Sequence, residues 1–256
     1  MNAAPDSPRP DFDWKTAPIR PKRAMILAAG LGKRMRPVSV TTPKPLVEVR
    51  GHALIDRALD RLVRAGVERA VINVHYLGEL IRVHVGKRSE PEIVISDETE
   101  RLLDTGGGIV KALPHLGDAP FYVLNSDSFW VEGARPNLEW LANAWRDETM
   151  DGLLMLASTV RAVGYKGRGD FQMDPAGHLI RRPEREVAPF AYAGAAIFHP
   201  RLFAGRKAEP FSLNVLFDQA LEAGRLFGMR MDGLWLNIET PEAIGEAEHS
   251  IADSAA

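Results

Sequence analysis

Short apolar runs alternate, through the first part of the chain, with stretches in which apolar residues recur every three or four positions. A compact apolar run is typical of a buried strand, and the wider spacing is typical of a helix that packs on one face. The predicted strands are 24–27, 70–74, 93–95, 121–124 and 153–157. The predicted helices are 54–63, 77–85, 109–113 and 138–145. Strands that alternate with helices favour a parallel sheet.

The second part of the chain has a less regular pattern. Residues 164–171 are rich in glycine and charge, and residues 177–180 indicate a hairpin. Further strands are predicted over 190–198, 227–231 and 235–238, and helices over 213–221 and 241–251. The predicted fold is therefore α/β, with a Rossmann-like, mostly parallel central sheet flanked by helices and a small β-rich subregion.

No repeat or linker interrupts residues 21–256, which predicts a single domain. Residues 1–20 differ, because they hold several charges and the prolines Pro5, Pro8, Pro10 and Pro18. They lack the apolar core of a signal peptide. We expect them to form a flexible N-terminal arm.

The composition is that of an ordinary globular protein, with 45% hydrophobic and 26% charged residues. The formal net charge of -2 gives no overall attraction to nucleic acid or to an anionic membrane. No apolar run approaches the roughly 20 residues that span a bilayer. The chain has no cysteine, which excludes disulfides and zinc-thiolate sites. We therefore expect a cytoplasmic protein without nucleic-acid or membrane partners.

Three segments rich in glycine or polar residues are predicted to lie at the carboxyl ends of strands, where open parallel sheets bind ligands. One is the loop that contains Gly30, the second is 105–108 (TGGG), and the third is 125–127 (NSD). Each alone also suits an ordinary turn. Their convergence on one edge of the sheet predicts a ligand site there.

The loop around Gly30 has the composition of a phosphate-binding segment. Small residues let a ligand approach the backbone, so that main-chain N–H groups can bind phosphate oxygens. The flanking cations are Lys33, Arg34, Arg36 and Lys44. Neither the Walker motif nor the dinucleotide motif fits, since Arg34 follows Gly32-Lys33 and a third glycine is missing. A strand-to-helix turn with a solvated basic flank is the alternative.

Residues 28–37 read AAGLGKRMRP and residues 42–46 read TPKPL. Together they resemble the signature of the sugar-1-phosphate nucleotidyltransferases, and the similarity extends over residues 22–251. The resemblance implies the nucleotide-diphospho-sugar transferase fold, an activity of the EC 2.7.7 type and dependence on Mg²⁺. It also implies nucleotide contacts from Leu27, Ala28, Ala29, Gly30, Gly32, Lys33, Arg34, Lys44, Thr105, Gly106 and Gly107.

The resemblance assigns catalysis to Arg34, Lys44 and Asp127, of which Asp127 also binds the metal ion. The types of these residues agree with that assignment, because fixed cations and a hard oxygen ligand suit the transfer of a nucleotidyl group. The resemblance further places Asn125, Arg168, Asp170 and Arg182 near the phosphate of the acceptor sugar. For Arg168 and Asp170 a charged hairpin is the alternative, and for Arg182 a solvated basic pair with Arg181.

The sequence departs from the family pattern near residue 237. The family has a second metal-binding aspartate in a Trp-x-Asp-x-Gly-Thr-like string, whereas residues 235–240 read WLNIET. Asn237 supplies a carbonyl oxygen but no charge. Because residues two apart in a strand face the same side, Glu239 is a candidate for the missing carboxylate.

Four stretches, 105–114, 116–121, 167–171 and 199–200, favour the subgroup of the family that acts in cell-wall (peptidoglycan) sugar recycling. The expected substrates are UTP, or another NTP, and N-acetylmuramate 1-phosphate as the sugar 1-phosphate, which an upstream sugar kinase would supply. Two alternatives stay open. One is a mannose-1-phosphate guanylyltransferase or a related enzyme, and the other is a nucleotide-binding regulatory module whose catalysis Asn237 has weakened.

Overall fold

The computed structural model describes residues 18–254, so most of the predicted N-terminal arm lies outside the described residues. The helices are α1 (Leu54–Arg64), α2 (Gly78–Val85), α3 (Asp104–Leu116), α4 (Asn137–Ala144), α5 (Asn214–Glu222) and α6 (Pro241–Ser254). The strands are β1 (Arg23–Leu27), β2 (Glu48–Val49), β3 (His52–Ala53), β4 (Arg69–Val74), β5 (Glu92–Asp97), β6 (Phe121–Asn125), β7 (Ser128–Glu132), β8 (Gly152–Ser158), β9 (Phe171–Met173), β10 (Leu179–Arg181), β11 (Phe190–Phe198), β12 (Leu226–Arg230) and β13 (Gly233–Asn237).

The central sheet has a parallel part formed by β5, β4, β1 and β6, in that spatial order. Strand β11 continues the sheet antiparallel to β6 and pairs with β8, which pairs in parallel with β12. The β9–β10 hairpin joins the edge beside β11 as the small β-rich subregion. The predicted mostly parallel α/β sheet is confirmed, with antiparallel strands added at one side.

Each face of the sheet packs into a separate apolar core, because successive side chains of a strand point to opposite faces. In β1, Ala24 and Ile26 belong to one core and Met25 to the other, and all three are fully buried. Helices α1, α2 and α4 cover the first face, and α3 and α5 cover the second. This two-sided burial explains why the strand reads as a continuous apolar run.

Strand β7 was not predicted, because residues 125–127 (NSD), which come directly before it, suggested only a turn. It pairs antiparallel with β13, so that Ser128 lies opposite Asn237 and Phe129 opposite Leu236. A backbone hydrogen bond from Ile238 N to Asp127 O, at 2.9 Å, extends the contact. The ribbon of β7 and β13 therefore brings the segment after β6 beside the segment after β13.

Helix α3 begins at Asp104, so the prediction of a loop through Gly108 with a helix from 109 to 113 is wrong. Glycine disfavours helices intrinsically, but packing decides here. A Cβ on Gly106 would lie 2.2 Å from the Phe211 ring, and one on Gly107 would lie 2.0 Å from Glu209 O. The glycines let the first turn of the helix pack against the 209–211 segment.

Among residues 18–254, no helix is both long enough and apolar enough to cross a lipid bilayer.

Candidate active site

The loop after β1 is fixed by polar contacts from its neighbouring strands. Ala28 N donates to Asn73 Oδ1 at 2.7 Å, and Ser126 Oγ donates to Leu27 O at 2.6 Å. Gly32 has a φ of +59°, a conformation that favours glycine, and its carbonyl accepts from Ser39 Oγ at 2.7 Å. A Cβ on Gly30 would meet no atom within 4 Å, so this glycine leaves open space in front of the backbone.

That space belongs to a cavity of about 430 Å³ at the carboxyl edge of the sheet, which we call the loop-side cavity. It is lined by Leu27, Ala29, Gly30, Asn73, Leu102, Asp104, Thr105, Asn125, Asp127 and Pro210. All three segments that the sequence analysis placed at strand ends contribute residues to this cavity. The predicted convergence of these segments is therefore confirmed.

A second cavity, of about 270 Å³, lies beside the β9–β10 hairpin, and we call it the hairpin-side cavity. It is lined by Asn125, Asp127, Ser128, Tyr165, Asp170, Phe171, Arg181, Tyr192, Asn214, Phe217, Trp235, Asn237 and Glu239. Asn125 and Asp127 line both cavities. Asp127 therefore stands at the point where two adjacent spaces meet.

Two ion pairs join the predicted cations to predicted metal ligands. Lys44 Nζ lies 3.0 Å from Asp127 Oδ2, and the Lys44 side chain is only 12% exposed. Lys44 begins a short 3₁₀ turn between the buried Pro43 and Pro45, which fixes its backbone. Arg34 Nη1 pairs with Glu239 Oε2 from a more exposed position, since 68% of its side chain is accessible. Lys33 is exposed.

The start of α3 is covered by the segment that precedes α5. Gly106 N donates to Phe211 O at 2.9 Å, and Gly107 N donates to the same oxygen at 3.4 Å. Thr105 lines the loop-side cavity, and its Oγ1 accepts from Leu213 N at 2.8 Å. Because protein groups use these two amides, the structure gives Gly106 and Gly107 a packing role, whereas Thr105 remains beside the cavity.

The residues predicted near the acceptor phosphate separate in the structure. Asn125 and Asp170 line the hairpin-side cavity, and Asp170 Oδ2 accepts from Tyr192 N at 2.8 Å. Arg168 is exposed. The Arg182 guanidinium donates to the carbonyl oxygens of Gly169, Pro183, Glu184 and Glu186. These four bonds give Arg182 the role of holding its own loop.

Arg181, which the sequence analysis treated only as the neighbour of Arg182, lines the hairpin-side cavity instead. Its Nε donates to Asp218 Oδ1 at 2.9 Å, and its guanidinium lies 5.0 Å from the centre of the Phe171 ring. Asp218, whose carboxylate neutralises the charge of Arg181, belongs to α5, and this helix forms one side of the cavity.

Sequence reasoning also missed a buried polar network behind the loop-side cavity. Asn73 Nδ2 donates to Glu98 Oε1 at 2.7 Å, and Leu103 N donates to Glu98 Oε2 at 2.9 Å. Glu98 is 1% exposed and Asn73 is 2% exposed. Through Asn73 the network reaches Ala28, so it joins the loop after β1 to the start of α3. The sequence did contain a signal for Asn73, because this residue, like Asp127, is a polar residue near the end of a predicted apolar strand.

The model of the nucleotidyl transferase family matches residues 23–254. The chain belongs to this family. N-acetylmuramate alpha-1-phosphate uridylyltransferase from Caulobacter vibrioides is 45% identical over 238 residues, which cover 91% of this chain and 98% of that protein. The enzyme of the same name from Neisseria meningitidis serogroup B is 35% identical over 88% of this chain and 96% of that protein.

More distant nucleotidyltransferases share the fold. Mannose-1-phosphate guanylyltransferase catalytic subunit beta from Drosophila melanogaster is 28% identical over 86% of this chain and 60% of that protein. HddC from Yersinia pseudotuberculosis complexed with GMP-PN superposes with a TM-score of 0.73 at 21% identity, over 90% of this chain and 99% of that chain. Apo-UDP-glucose pyrophosphorylase gives 0.71 at 16% identity, over 92% and 99%. The predicted nucleotide-diphospho-sugar transferase fold is confirmed.

The candidate metal ligands of this nucleotidyltransferase are oxygen donors that line the hairpin-side cavity, namely Asp127, Asn237 and Glu239. Among residues 18–254, no group of three or more His, Cys, Asp and Glu side chains could hold a metal ion. Two carboxylates and one amide oxygen are nevertheless hard ligands of the kind that Mg²⁺ prefers. The donor chemistry fits Mg²⁺, with one negative charge fewer than three carboxylates would give.

Proposed function

We propose that the chain transfers a nucleotidyl group from UTP to N-acetylmuramate 1-phosphate and releases pyrophosphate. The observation that carries the proposal is the meeting of two cavities at Asp127, with Lys44 beside it. Such a site can hold a nucleoside triphosphate on one side and a sugar phosphate on the other. The substrate choice is supported by the names of the Caulobacter and Neisseria relatives.

In this reaction a phosphate oxygen of the sugar 1-phosphate attacks the α-phosphorus of the triphosphate. The bond from that phosphorus to the oxygen bridging it to the β-phosphorus breaks, and pyrophosphate leaves with the electron pair. Both reactants are anions, so the site must neutralise charge and hold them in line. No nucleophile from the protein is needed.

The loop-side cavity would bind the triphosphate. The open face at Gly30 lets phosphate oxygens approach the backbone, and the Asn73 bond to Ala28 N holds the loop in shape. Lys44 would stabilise the negative charge that develops during transfer, and Arg34 the charge on the departing pyrophosphate. The hairpin-side cavity would bind the acceptor.

Bound Mg²⁺, held by Asp127 with Asn237 and Glu239, would supply positive charge between the two phosphates. The two ion pairs change partners in this proposal. Lys44 and Arg34 would turn from Asp127 and Glu239 to phosphate oxygens, and the two carboxylates would then be available to hold the metal ion.

A sugar 1-phosphate must be made by a kinase that phosphorylates the anomeric hydroxyl, so the proposal includes an upstream sugar kinase. It also includes a place in peptidoglycan sugar recycling and in the cytoplasm. These parts rest on the chemistry of the proposed acceptor and on the relatives.

The test is pyrophosphate release from each nucleoside triphosphate against a panel of sugar 1-phosphates, with Mg²⁺ present and then chelated. We expect release with UTP and N-acetylmuramate 1-phosphate, lost on chelation. Release with GTP and mannose 1-phosphate would instead support the guanylyltransferase alternative, which the Drosophila relative favours. Nucleotide binding without release across the panel would support the regulatory module.

A further inference from the structure

Tyr192 lies on β11 and lines the hairpin-side cavity. Its backbone N donates to Asp170 Oδ2 at 2.8 Å, and its ring meets the Phe217 ring edge-on, with centroids 5.6 Å apart. The residue is half-buried, but its hydroxyl oxygen is buried and has no hydrogen-bond partner within the described part of the chain. Among the described residues, this hydroxyl therefore has no protein partner.

A second tyrosine shows what a satisfied hydroxyl looks like in the same sheet. Tyr122 on β6 is also buried, and its Oη donates to Leu138 O at 2.9 Å. A buried polar group without a partner costs free energy, whereas a phenylalanine fills nearly the same volume without that cost. A ligand in the hairpin-side cavity that accepts a hydrogen bond from Tyr192 would offset this cost.

The chemistry of the cavity indicates which kind of group would do so. Asp127, Asp170 and Glu239 line it with carboxylates, which accept hydrogen bonds, and Arg181 is already paired with Asp218. A tyrosine hydroxyl is protonated at neutral pH, so that of Tyr192 can donate a hydrogen bond. An anion in this space needs such donors, because the carboxylates cannot bind it directly.

We propose that the Tyr192 hydroxyl donates a hydrogen bond to an oxygen of the acceptor sugar 1-phosphate and so helps to select the acceptor. This inference rests on the proposed function, because it names a binding group within the same reaction. Tyr192 would touch the acceptor and not the nucleoside triphosphate, since it lines the hairpin-side cavity and the triphosphate occupies the loop-side cavity.

The experiment compares Tyr192→Phe with Tyr122→Phe in the full chain, each against the wild type. Steady-state pyrophosphate release gives KM for UTP and for N-acetylmuramate 1-phosphate, and thermal unfolding gives Tm. For Tyr192→Phe we expect the acceptor KM to rise about 3- to 10-fold, the UTP KM to stay unchanged, and Tm to hold or rise. For Tyr122→Phe we expect the reverse, a lower Tm with both KM values unchanged.

The acceptor panel then identifies the bound oxygen. An equal loss with every sugar 1-phosphate supports a contact to the shared phosphate, and a loss confined to one sugar supports a contact to that sugar. An acceptor KM at the wild-type value in Tyr192→Phe would overturn the inference. It would indicate that the hydroxyl binds a buried water and not the acceptor. Equal rises in both KM values would overturn it too, because they indicate a general distortion.

Failure of the proposed function looks different. In that case the wild-type protein itself releases no pyrophosphate, whatever residue 192 is. Calorimetric titration with N-acetylmuramate 1-phosphate separates the two, since a wild type that binds this probe more tightly than Tyr192→Phe keeps the contact without the reaction. A wild type that neither reacts with nor binds the probe would overturn both.

Discussion

Lys44 Nζ lies 3.0 Å from Asp127 Oδ2 at the junction of the loop-side and hairpin-side cavities. A similar contact distance, 2.9 Å, joins Lys22 and Glu68 on the surface, where the side chains are 55% and 70% exposed. The Lys44 side chain is 12% exposed, so water screens its charge far less. A largely shielded cation of this kind would act strongly on any phosphate that replaced Asp127 as its partner.

The first prediction concerns this pair. Lys44→Met should lower kcat for pyrophosphate release by on the order of 10²–10³, because it removes charge stabilisation in the transition state. Lys22→Met removes a lysine from an exposed ion pair and should leave kcat within about twofold. Steady-state kinetics at saturating substrate measures both. Equal activity of the two variants would remove Lys44 from the catalytic machinery.

The second prediction separates two glycines by what surrounds them. Gly30→Ala places a methyl group in the open loop-side cavity, so KM for the nucleoside triphosphate should rise about tenfold while the protein stays as stable as before. Gly106→Ala drives a methyl group into the Phe211 ring and should cost about 1–3 kcal/mol of unfolding free energy. Urea titration and nucleotide kinetics on both variants check this. A destabilised Gly30→Ala with normal KM would contradict it.

The third prediction concerns the buried network. Glu98 Oε1 and Oε2 accept from Asn73 and Leu103, and Glu98→Gln would turn an amide donor against one of them. We expect a loss of about 1–3 kcal/mol in unfolding free energy, with a raised KM for the nucleoside triphosphate. Glu100→Gln changes an exposed residue two positions away and should alter the free energy by less than about 0.5 kcal/mol.

The fourth prediction tests the proposed metal site. Asn237→Asp adds a carboxylate beside Asp127, so the Mg²⁺ concentration that gives half-maximal velocity should fall about tenfold. Asn143→Asp adds the same charge at an exposed position on α4 and should leave that concentration unchanged. Titration of Mg²⁺ into metal-free protein measures it. A midpoint that is the same in both variants would place the metal ion elsewhere.

The strands of the central sheet could be predicted because a strand that is buried on both faces needs apolar residues at successive positions, as in β1 and β4. Helix α3 could not be predicted, because Gly106 and Gly107 are required by close contacts with Phe211 and Glu209, which lie more than 100 positions away. The ribbon of β7 and β13 was missed for a related reason. Ser128 and Asn237 are far apart in the sequence, and their pairing shows only in the folded chain.

The choice between Arg181 and Arg182 shows the limit of reading a site from sequence. Adjacent residues near a strand end point in different directions, and a shift by one position exchanges them. The β9–β10 hairpin has too few apolar residues to fix that register from the pattern alone. Only the fold shows that Arg181 lines the hairpin-side cavity while Arg182 holds its own loop.

Among the described residues, Asn125 and Asp127 line both cavities. On the proposed function, the two substrates would occupy adjacent cavities that meet at Asp127. The nucleotide sugar would then extend across Asp127 and occupy parts of both cavities. It would therefore compete with each substrate, whereas pyrophosphate would compete only with the nucleoside triphosphate, so that accumulated nucleotide sugar would inhibit the binding of both substrates.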